Sequence, residues 1–511
     1  MPRTIVALTL TALAALAIAF GWACMPFGAG LSPDSVVYIA MADGAWTPRG
    51  FSLPYGYNLY EPVRHFPPLY PAVLGGGKLI GLAAAPFSRI VGCALLGLNT
   101  ALVGWIVYRS SRGRIGAAMA ASILFGVSVP ILTIHVMAWS EPLFIALLLI
   151  GMLGLSEYLV GARRMWLLIG CLAIGGSAVT RYAGIAAVTA TVTLLTCHAK
   201  SGRQWRDALV GGLCATLPIA TWLWRNYRAA GDLTGRDFEF HLAPLYRELP
   251  HVVATILSWF CAHADALPDQ PRAFVGVSIC LIVTYALCRN RRSTAGAHES
   301  ALVRICVIFA VCYSGLLIAT LTFFDADTPL DNRLLCPLHI TLLISLVLTL
   351  SRWTSIATPV LRSAAVLSVA GYIALNLGGL QDWFADAQRD GRGYASESWR
   401  HSPLLAFMRA LPSSMVIYAT APNPVYLYVG RSSLDLPLKP TTRRGPHRLR
   451  YARKLSVVRQ QVLHREAAAA YFYAQIDPGF PTLDDLLLSL GPPRFATAEG
   501  IVWAAGLRHL Q

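Results

Sequence analysis

The chain has 511 residues, of which 55% are hydrophobic and only 13% charged, and its mean hydropathy is +0.54. A soluble domain carries about 25% charged residues, so this composition excludes an ordinary soluble protein and indicates long uncharged runs that cross a membrane. The formal net charge of +16 does not indicate a nucleic-acid-binding protein, because many of the cations lie in short segments between apolar runs, where they report membrane orientation.

Apolar runs of about 20 residues predict transmembrane helices. The first run exceeds the roughly 7–15 apolar residues of a signal peptide and has a poor cleavage site after it, so it is interpreted as a retained span. With the N-terminus in the cytoplasm, five basic clusters between the runs share the cytoplasmic side. The eleven predicted spans are 5–24, 88–109, 115–131, 142–160, 165–179, 183–197, 208–224, 272–288, 303–323, 334–350 and 357–377.

The expected fold is therefore an all-α polytopic membrane bundle over residues 1–378, with a long first outer loop that carries a surface-lying helix at 68–86. Beyond this point the composition becomes polar and predicts a small α/β periplasmic domain at 379–511. Strands are expected at 415–418, 425–429 and 500–505, and helices at 467–474 and 483–490. No cysteine follows Cys336, so this domain has no disulfide framework.

Asp34 lies just beyond the first span, after Ser32 and Pro33. Ser32 is expected to cap a helix, with Pro33 at the first helical position and Asp34 in the first turn. Capping explains the carboxylate by itself, but it is compatible with catalysis because a helix start fixes the position of the carboxylate. A partly desolvated carboxylate has the raised basicity that a general base needs, so Asp34 is the first catalytic candidate.

Glu141 is the second catalytic candidate. It stands between Ser140 and Pro142 and again suits a helix start. An acidic residue at the mouth of a span is costly enough to be a functional candidate. Trp139, an interfacial aromatic, places it at headgroup depth.

Three arginines, Arg181, Arg225 and Arg333, are predicted at the outer membrane boundary. Each could simply extend to lipid headgroups. Their convergence with two carboxylates is better explained by a phosphate site, because arginine binds phosphate through two N–H groups and keeps its charge when partly buried. Lys78 is a further phosphate candidate, for which solvation is the alternative.

Aromatic and histidine side chains complete the candidate site. His65 could orient a substrate, although a structural histidine at a helix start is the alternative, and Tyr38, Tyr70 and Tyr182 are further candidates for substrate binding. No clear metal-ligand spacing occurs, so no metal site is predicted and a divalent metal is left open. There is no nucleotide-binding loop of the Walker type, so the substrate phosphate should belong to a molecule already in the membrane.

The order of these motifs resembles the GT-C glycosyltransferases, and in particular a bacterial branch similar to protein O-mannosyltransferases and the lipid A aminoarabinose transferase. Besides the first-loop aspartate, the motifs are His-Phe-Pro-Pro-Leu-Tyr-Pro at 65–71, Ser-Glu-Pro-Leu at 140–143, Thr-Arg-Tyr-Ala-Gly at 180–184, Trp-x-x-Arg-Asn-Tyr at 222–227 and Arg-Leu-Leu-x-Pro-Leu at 333–338. The likeness covers about residues 1–350.

The resemblance implies a polyprenyl-phosphate sugar donor and inverting transfer to the hydroxyl of a lipid, glycan or protein acceptor at the periplasmic face of a bacterial inner membrane. In this family the first-loop aspartate, here Asp34, is regarded as the base. Glu141 matches the second-loop acidic residue, and Arg333 falls where the donor phosphate is often held. This sequence departs from the pattern in having no second acidic residue after Asp34 and in placing Phe66 between His65 and Pro67.

Contact with membrane lipids, no nucleic-acid partner and a monomeric state are also expected. Two other functions stay open from sequence alone. A transporter or lipid flippase would line a path across the bilayer with charges, whereas the candidate charges here map to one side. A non-catalytic envelope-assembly protein would tolerate neutralisation of Asp34 and Glu141.

Overall fold

The computed structural model describes residues 3–56, 59–236, 238–241, 244–260, 296–325, 328–356, 359–439, 448–474 and 480–505. The chain forms two compact units. The first comprises Met1–Ala29 and Arg64–Arg389, and the second comprises Gly30–Val63 and Asp390–Gln511. The domain boundary at residue 378 stays a prediction.

The first unit is built of helices. In chain order they are α1 (Arg3–Ala23), α3 (Leu69–Gly75) with a 3-10 turn (Gly76–Ile80), α4 (Ala84–Ser110), α5 (Ile115–Gly126), α6 (Val129–Val136), α7 (Glu141–Gly161), α8 (Arg164–Ala178), a 3-10 turn (Tyr182–Gly184), α9 (Ile185–His198), α10 (Gly202–Ala230), α11 (Pro244–Ser258), α12 (Ala297–Phe323), α13 (Asn332–Ile356) and α14 (Pro359–Asp390).

Within the described part of the chain, six helices are long and apolar enough to cross a membrane: α1, α4, α7, α10, α12 and the 332–352 part of α13. Helices α5 and α6, bent by 62° at a short break, make a seventh if they are counted as one span. Helices α8 and α9 are apolar but have only 15 and 14 residues. The prediction of a mainly helical membrane protein is thus confirmed, whereas the count of eleven spans stays a prediction. The predicted span at 272–288 lies outside the described residues.

Close helix packing in this unit depends on small residues. This is usual in membranes, because apolar lipid leaves no hydrophobic driving force for helices to associate. A Cβ atom at Gly154 of α7 would lie 2.8 Å from the Cα atom of Gly170 in α8, so the two backbones touch. At the C-terminal end of α7, Glu157 accepts two hydrogen bonds of 2.8 Å from Arg109 of α4. This ion pair joins α4 to the end of α7 that lies opposite to Glu141.

The second unit combines helix α2 with a mixed sheet. Its elements are α2 (Pro33–Ala45), α15 (Glu397–Arg400), α16 (Pro403–Arg409), β1 (Val416–Ala419), a helical turn (Pro422–Pro424) continuing as a π-helix (Val425–Val429), β2 (Leu434–Asp435), α17 (Arg448–Leu463), β3 (Ala467–Phe472), α18 (Leu483–Leu490), β4 (Phe495–Thr497) and β5 (Gly500–Trp503). The strand order is β2-β1-β3-β5-β4. Strand β1 is parallel to β2 and β3, and β5 is antiparallel to β3 and β4.

Two expectations for this unit are wrong. Residues 467–474 were expected to be helical because alanine is the best helix former. The structure instead places Ala467–Phe472 in the central strand, with all six residues buried. Alternate side chains enter different cores, Ala468 and Ala470 on one face and Ala469 on the other, so small residues buried on both faces override propensity. The segment Val425–Val429 was expected to be a strand and is a π-helix, preceded by a proline-containing helical turn and ended by Gly430 with φ +70°.

Helix α2 begins as the sequence predicts. Ser32 is the N-cap, its hydroxyl accepts a hydrogen bond from the Ser35 N–H, and Asp34 lies in the first turn. Further along the helix, the Tyr426 hydroxyl donates a 2.8 Å hydrogen bond to Asp43. Helix α2 is therefore joined to the C-terminal elements of its own unit.

Candidate functional site: two arginines on one buried carboxylate

One buried carboxylate in the first unit binds two arginines. Glu141 is the first residue of α7, and its side chain is 3% exposed. Arg181 Nη1 lies 2.5 Å from Glu141 Oε1, and Arg333 Nε donates to the same oxygen. The arginine side chains are 15% and 20% exposed. Three residues that are far apart in sequence therefore form one ion cluster.

Each member of the cluster lies at the end of a helix. Arg181 follows α8 in the break before the 3-10 turn, where its Nη1 donates a 3.3 Å hydrogen bond to the Ser140 hydroxyl. Arg333 is the second residue of α13, and its guanidinium lies over the Trp139 ring, 4.4 Å from the centroid. The segment before α7 thus contacts both arginines.

The start of α13 is held by groups that the sequence motifs did not single out. The Tyr313 hydroxyl of α12 donates a 2.7 Å hydrogen bond to the Leu334 carbonyl. The Trp259 indole N–H donates a 2.8 Å hydrogen bond to Asn332 Oδ1, and its ring stacks on His339 with centroids 4.5 Å apart. These contacts fix the residues on either side of Arg333.

The charge balance of the cluster favours an anion. Two guanidinium groups share one carboxylate, so the trio carries a formal charge of +1. Water screens charges poorly at groups this buried, so each interaction is stronger than at an exposed surface. Arginine keeps its proton in such surroundings and offers several N–H donors in one plane. The arrangement can therefore bind a phosphate or carboxylate group through guanidinium N–H groups other than those that contact Glu141.

Two predicted residues form a separate polar cluster. The Tyr182 hydroxyl donates to the Arg64 carbonyl and accepts hydrogen bonds from Trp222 at 3.1 Å and Asn226 at 3.2 Å. Arg225 lies over the Trp222 ring, 4.8 Å from the centroid, and donates to Asn226. Arg225 is thus not a member of the Glu141 cluster, and the Tyr182 hydroxyl ties the 3-10 turn to α10.

The structure does not place the remaining first-unit candidates in the Glu141 cluster. Lys78 is exposed on the 3-10 turn beside Leu79, which is 92% exposed. His65 is exposed in the segment before α3, whereas Tyr70 is buried in α3. Their proposed substrate contacts stay predictions.

Asp34 and Tyr38 belong to the second unit. Asp34 is partly exposed in the first turn of α2, whereas Tyr38 is buried in the same helix. The same unit holds a carboxyl group that the sequence did not single out, because burial raises the pKa of Asp435 to about 6. Among the residues described here, no group of three or more His, Cys, Asp or Glu side chains is arranged to hold a metal ion.

Solved structures share this fold, although no protein-family model and no curated protein sequence matches the chain. ArnT from Cupriavidus metallidurans bound to undecaprenyl phosphate superposes with a TM-score of 0.61 and 13% identity over 100% of both chains. The arabinofuranosyltransferase AftD from Mycobacteria superposes with a TM-score of 0.55 and 16% identity over 99% of this chain and 42% of that one. The resemblance to GT-C glycosyltransferases is thus confirmed at the level of the fold.

Proposed function

We propose that the chain is an inverting glycosyltransferase that moves a sugar from a polyprenyl-phosphate donor to an acceptor hydroxyl. The observation that carries this proposal is the convergence of Arg181 and Arg333 on buried Glu141, at the ends of helices in a fold shared with ArnT. In this proposal the reaction takes place at the periplasmic face of a bacterial inner membrane, and the acceptor is a lipid, a glycan or a protein.

Arg181 and Arg333 bind the donor phosphate in this proposal. When the bond between the sugar and the phosphate breaks, its electron pair stays on the phosphate oxygen, so the leaving group gains negative charge. Fixed cations at that position stabilise the transition state without supplying a proton. The solved ArnT structure was obtained with undecaprenyl phosphate, a ligand with the same phosphate chemistry.

Glu141 positions the two arginines rather than accepting a proton. Its carboxylate contacts both guanidinium groups, and these contacts favour the ionised form. The two positive charges are thereby held close together before the donor arrives. Their repulsion is offset by the folding of the protein rather than by the binding of the donor.

Asp34 acts as the general base in this proposal. It takes the proton of the acceptor hydroxyl while that oxygen forms a bond to the anomeric carbon and the bond from that carbon to the phosphate oxygen breaks. Its position in the first turn of a capped helix restricts the motion of the carboxylate, which proton transfer with defined geometry requires.

The test measures binding of undecaprenyl phosphate to purified protein in nanodiscs. We expect Arg333→Ala to weaken binding at least tenfold, on the scale of a lost charge-assisted hydrogen bond. Arg333→Lys should restore only part of the affinity for undecaprenyl phosphate, because lysine lacks the planar pair of donors. Arg352→Ala is the matched control, because Arg352 lies towards the other end of α13, is 15% exposed and pairs with Glu299 at 3.5 Å. Equal dissociation constants for all four proteins would remove the phosphate assignment.

A further inference from the structure

A short non-helical segment supplies a side chain in contact with each of the two arginines. It runs from the end of α6 at Val136 to the start of α7, and it carries Trp139 and Ser140 directly before Glu141. Trp139 lies under Arg333 and Ser140 accepts from Arg181. The distance between the two arginines therefore depends on the conformation of this segment.

One amide side chain binds both flanks of the segment. Asn99 Nδ2 of α4 lies 3.0 Å from His135 Nε2, just before the segment. The same nitrogen donates a 3.0 Å hydrogen bond to the Pro142 carbonyl, just after it. Asn99 and His135 are 0% and 1% exposed. The amide thus closes the segment into a loop through its two N–H groups.

The hydrogen bonds assign the protonation of the imidazole. His135 Nδ1 lies 2.7 Å from the Ile131 carbonyl, which can only accept, so Nδ1 carries the proton. His135 Nε2 then presents a lone pair and accepts from the Asn99 amide. Both N–H groups of Asn99 are therefore used, and the geometry selects an amide over a carboxylate at position 99.

A glycine on the same face of α4 admits the segment. Gly92 precedes Asn99 by two helical turns, and a Cβ atom at Gly92 would lie 2.6 Å from the His135 carbonyl oxygen. That oxygen belongs to the backbone and cannot turn aside as a flexible side chain could. Helix α4 is thus shaped for close approach at Gly92 and supplies a double donor at Asn99.

We propose that Asn99 is a positioning residue of the phosphate site, and that it sets the separation of Arg181 and Arg333 by fixing the segment 136–141. The inference rests on the proposed function. An amide inside an apolar span is costly unless it is bound. Here its two N–H groups are bound by partners that flank the site residues, whereas its Oδ1 atom is buried with no hydrogen-bond partner in the described part of the chain.

The experiment compares Asn99→Leu with Glu157→Gln in full-length protein in nanodiscs. Asn99→Leu keeps much of the side-chain volume and removes both hydrogen bonds. Glu157→Gln weakens the ion pair with Arg109 at the other end of α7 and leaves the segment intact. Gly92→Ala is a second variant that keeps Asn99 but presses on the His135 carbonyl. Each protein is measured for undecaprenyl phosphate binding and for thermal unfolding.

We expect Asn99→Leu and Gly92→Ala to bind undecaprenyl phosphate about tenfold more weakly than wild type, on the scale of a lost buried hydrogen bond. Glu157→Gln should keep the wild-type dissociation constant even if its melting temperature falls by as much as those of Asn99→Leu and Gly92→Ala. If all three variants bind in proportion to their loss of melting temperature, Asn99 contributes only to folding and the inference is wrong. A wild-type protein that does not bind undecaprenyl phosphate would instead overturn the proposed function. Binding by wild type together with unchanged binding by Asn99→Leu and Gly92→Ala would overturn the positioning role alone.

Discussion

Replacing Glu141 by glutamine separates the charge of this residue from its geometry. Glutamine keeps the Oε1 atom that accepts from Arg333 and lies beside Arg181, so the arginines retain an acceptor in the same place. The negative charge is removed, and the formal charge of the trio rises from +1 to +2. If the arginines bind a phosphate, Glu141→Gln should bind it more tightly than wild type.

The size of the effect follows from Coulomb's law. A phosphate that contacts the outer N–H groups of both arginines would lie roughly 6 Å from the Glu141 carboxylate, where two unit charges at an effective dielectric constant of about 20 repel by about 3 kcal/mol. The arginines are 15% and 20% exposed, so solvent lowers this figure. A gain of about 1.4 kcal/mol, which is tenfold in the dissociation constant, is a conservative expectation.

Binding of undecaprenyl phosphate to wild type, Glu141→Gln and Glu141→Ala checks the reasoning, with melting temperatures recorded with and without ligand. Both variants should be less stable without ligand, because an unpaired buried charge is costly. Saturating ligand should recover more of the lost melting temperature in Glu141→Gln than in Glu141→Ala. Glu141→Ala should bind less tightly than Glu141→Gln, since it also removes the shared acceptor. Weaker binding by Glu141→Gln than by wild type would show that the carboxylate does not compete with the ligand, and the charge argument would fail.

Two further predictions concern the second unit. Asp34→Asn should abolish sugar transfer while the protein still folds, because the amide cannot take the acceptor proton; mass spectrometry of outer-face glycolipids and glycans from cells carrying each variant checks this, and wild-type product levels would exclude Asp34 as the base. For Asp435, whose pKa burial raises from 3.8 to about 6, the stabilising contribution of the neutral form is fully present below pH 3.8 and is lost as the pH rises through about 6. Asp435→Asn should therefore protect the backbone amides of β1 and β2 from hydrogen exchange above pH 6, by up to about 3 kcal/mol for a shift of about two pKa units, and should have little effect near pH 4. A pH-independent difference between the two proteins would mean that Asp435 does not titrate in this range.

The sequence predicts the Glu141 cluster because a membrane simplifies the geometry. Ends of spanning helices lie near one of two planes, so charges at helix ends on one side are restricted to a thin layer. Glu141 and Arg333 lie at the starts of α7 and α13, and Arg181 lies in the break after α8. Their meeting could thus be expected from sidedness together with the cost of isolated charges near lipid.

Position within that layer could not be predicted. The sequence predicts Arg225 at the same boundary, yet its side chain lies over Trp222. The rotation of a helix about its axis decides which charges meet, and periodicity is a weak guide in a bundle because lipid-facing and buried faces are both apolar. Asn99 carried a visible signal, as an amide within a predicted apolar span. Tyr313 carried none, because its partner is a backbone carbonyl.

The fold of the second unit shows a different limit. The segment 467–472 has a composition that favours a helix in isolation. Its conformation is decided by pairing with β1 and β5 on either side, and that pairing involves residues about 50 and 30 positions away. Local propensity cannot report such partners. Strand β5, which pairs with β3 and β4, was easier to predict, because it ends in Ile501, Val502 and Trp503, which are strong strand formers.

The two positioning residues of the proposed phosphate site act on different quantities. Glu141 sets the electrostatic balance of Arg181 and Arg333, because it lowers the repulsion between them and offers both the same oxygen. Asn99 sets their separation, because it fixes the segment that carries Glu141 into α7. In the proposed reaction, a donor phosphate would meet two cations whose spacing and charge are already established, and its binding energy would not be needed to order them. The same preorganisation would stabilise the phosphate as charge develops on it during transfer, which is why a buried carboxylate that weakens binding of the ground state is consistent with catalysis.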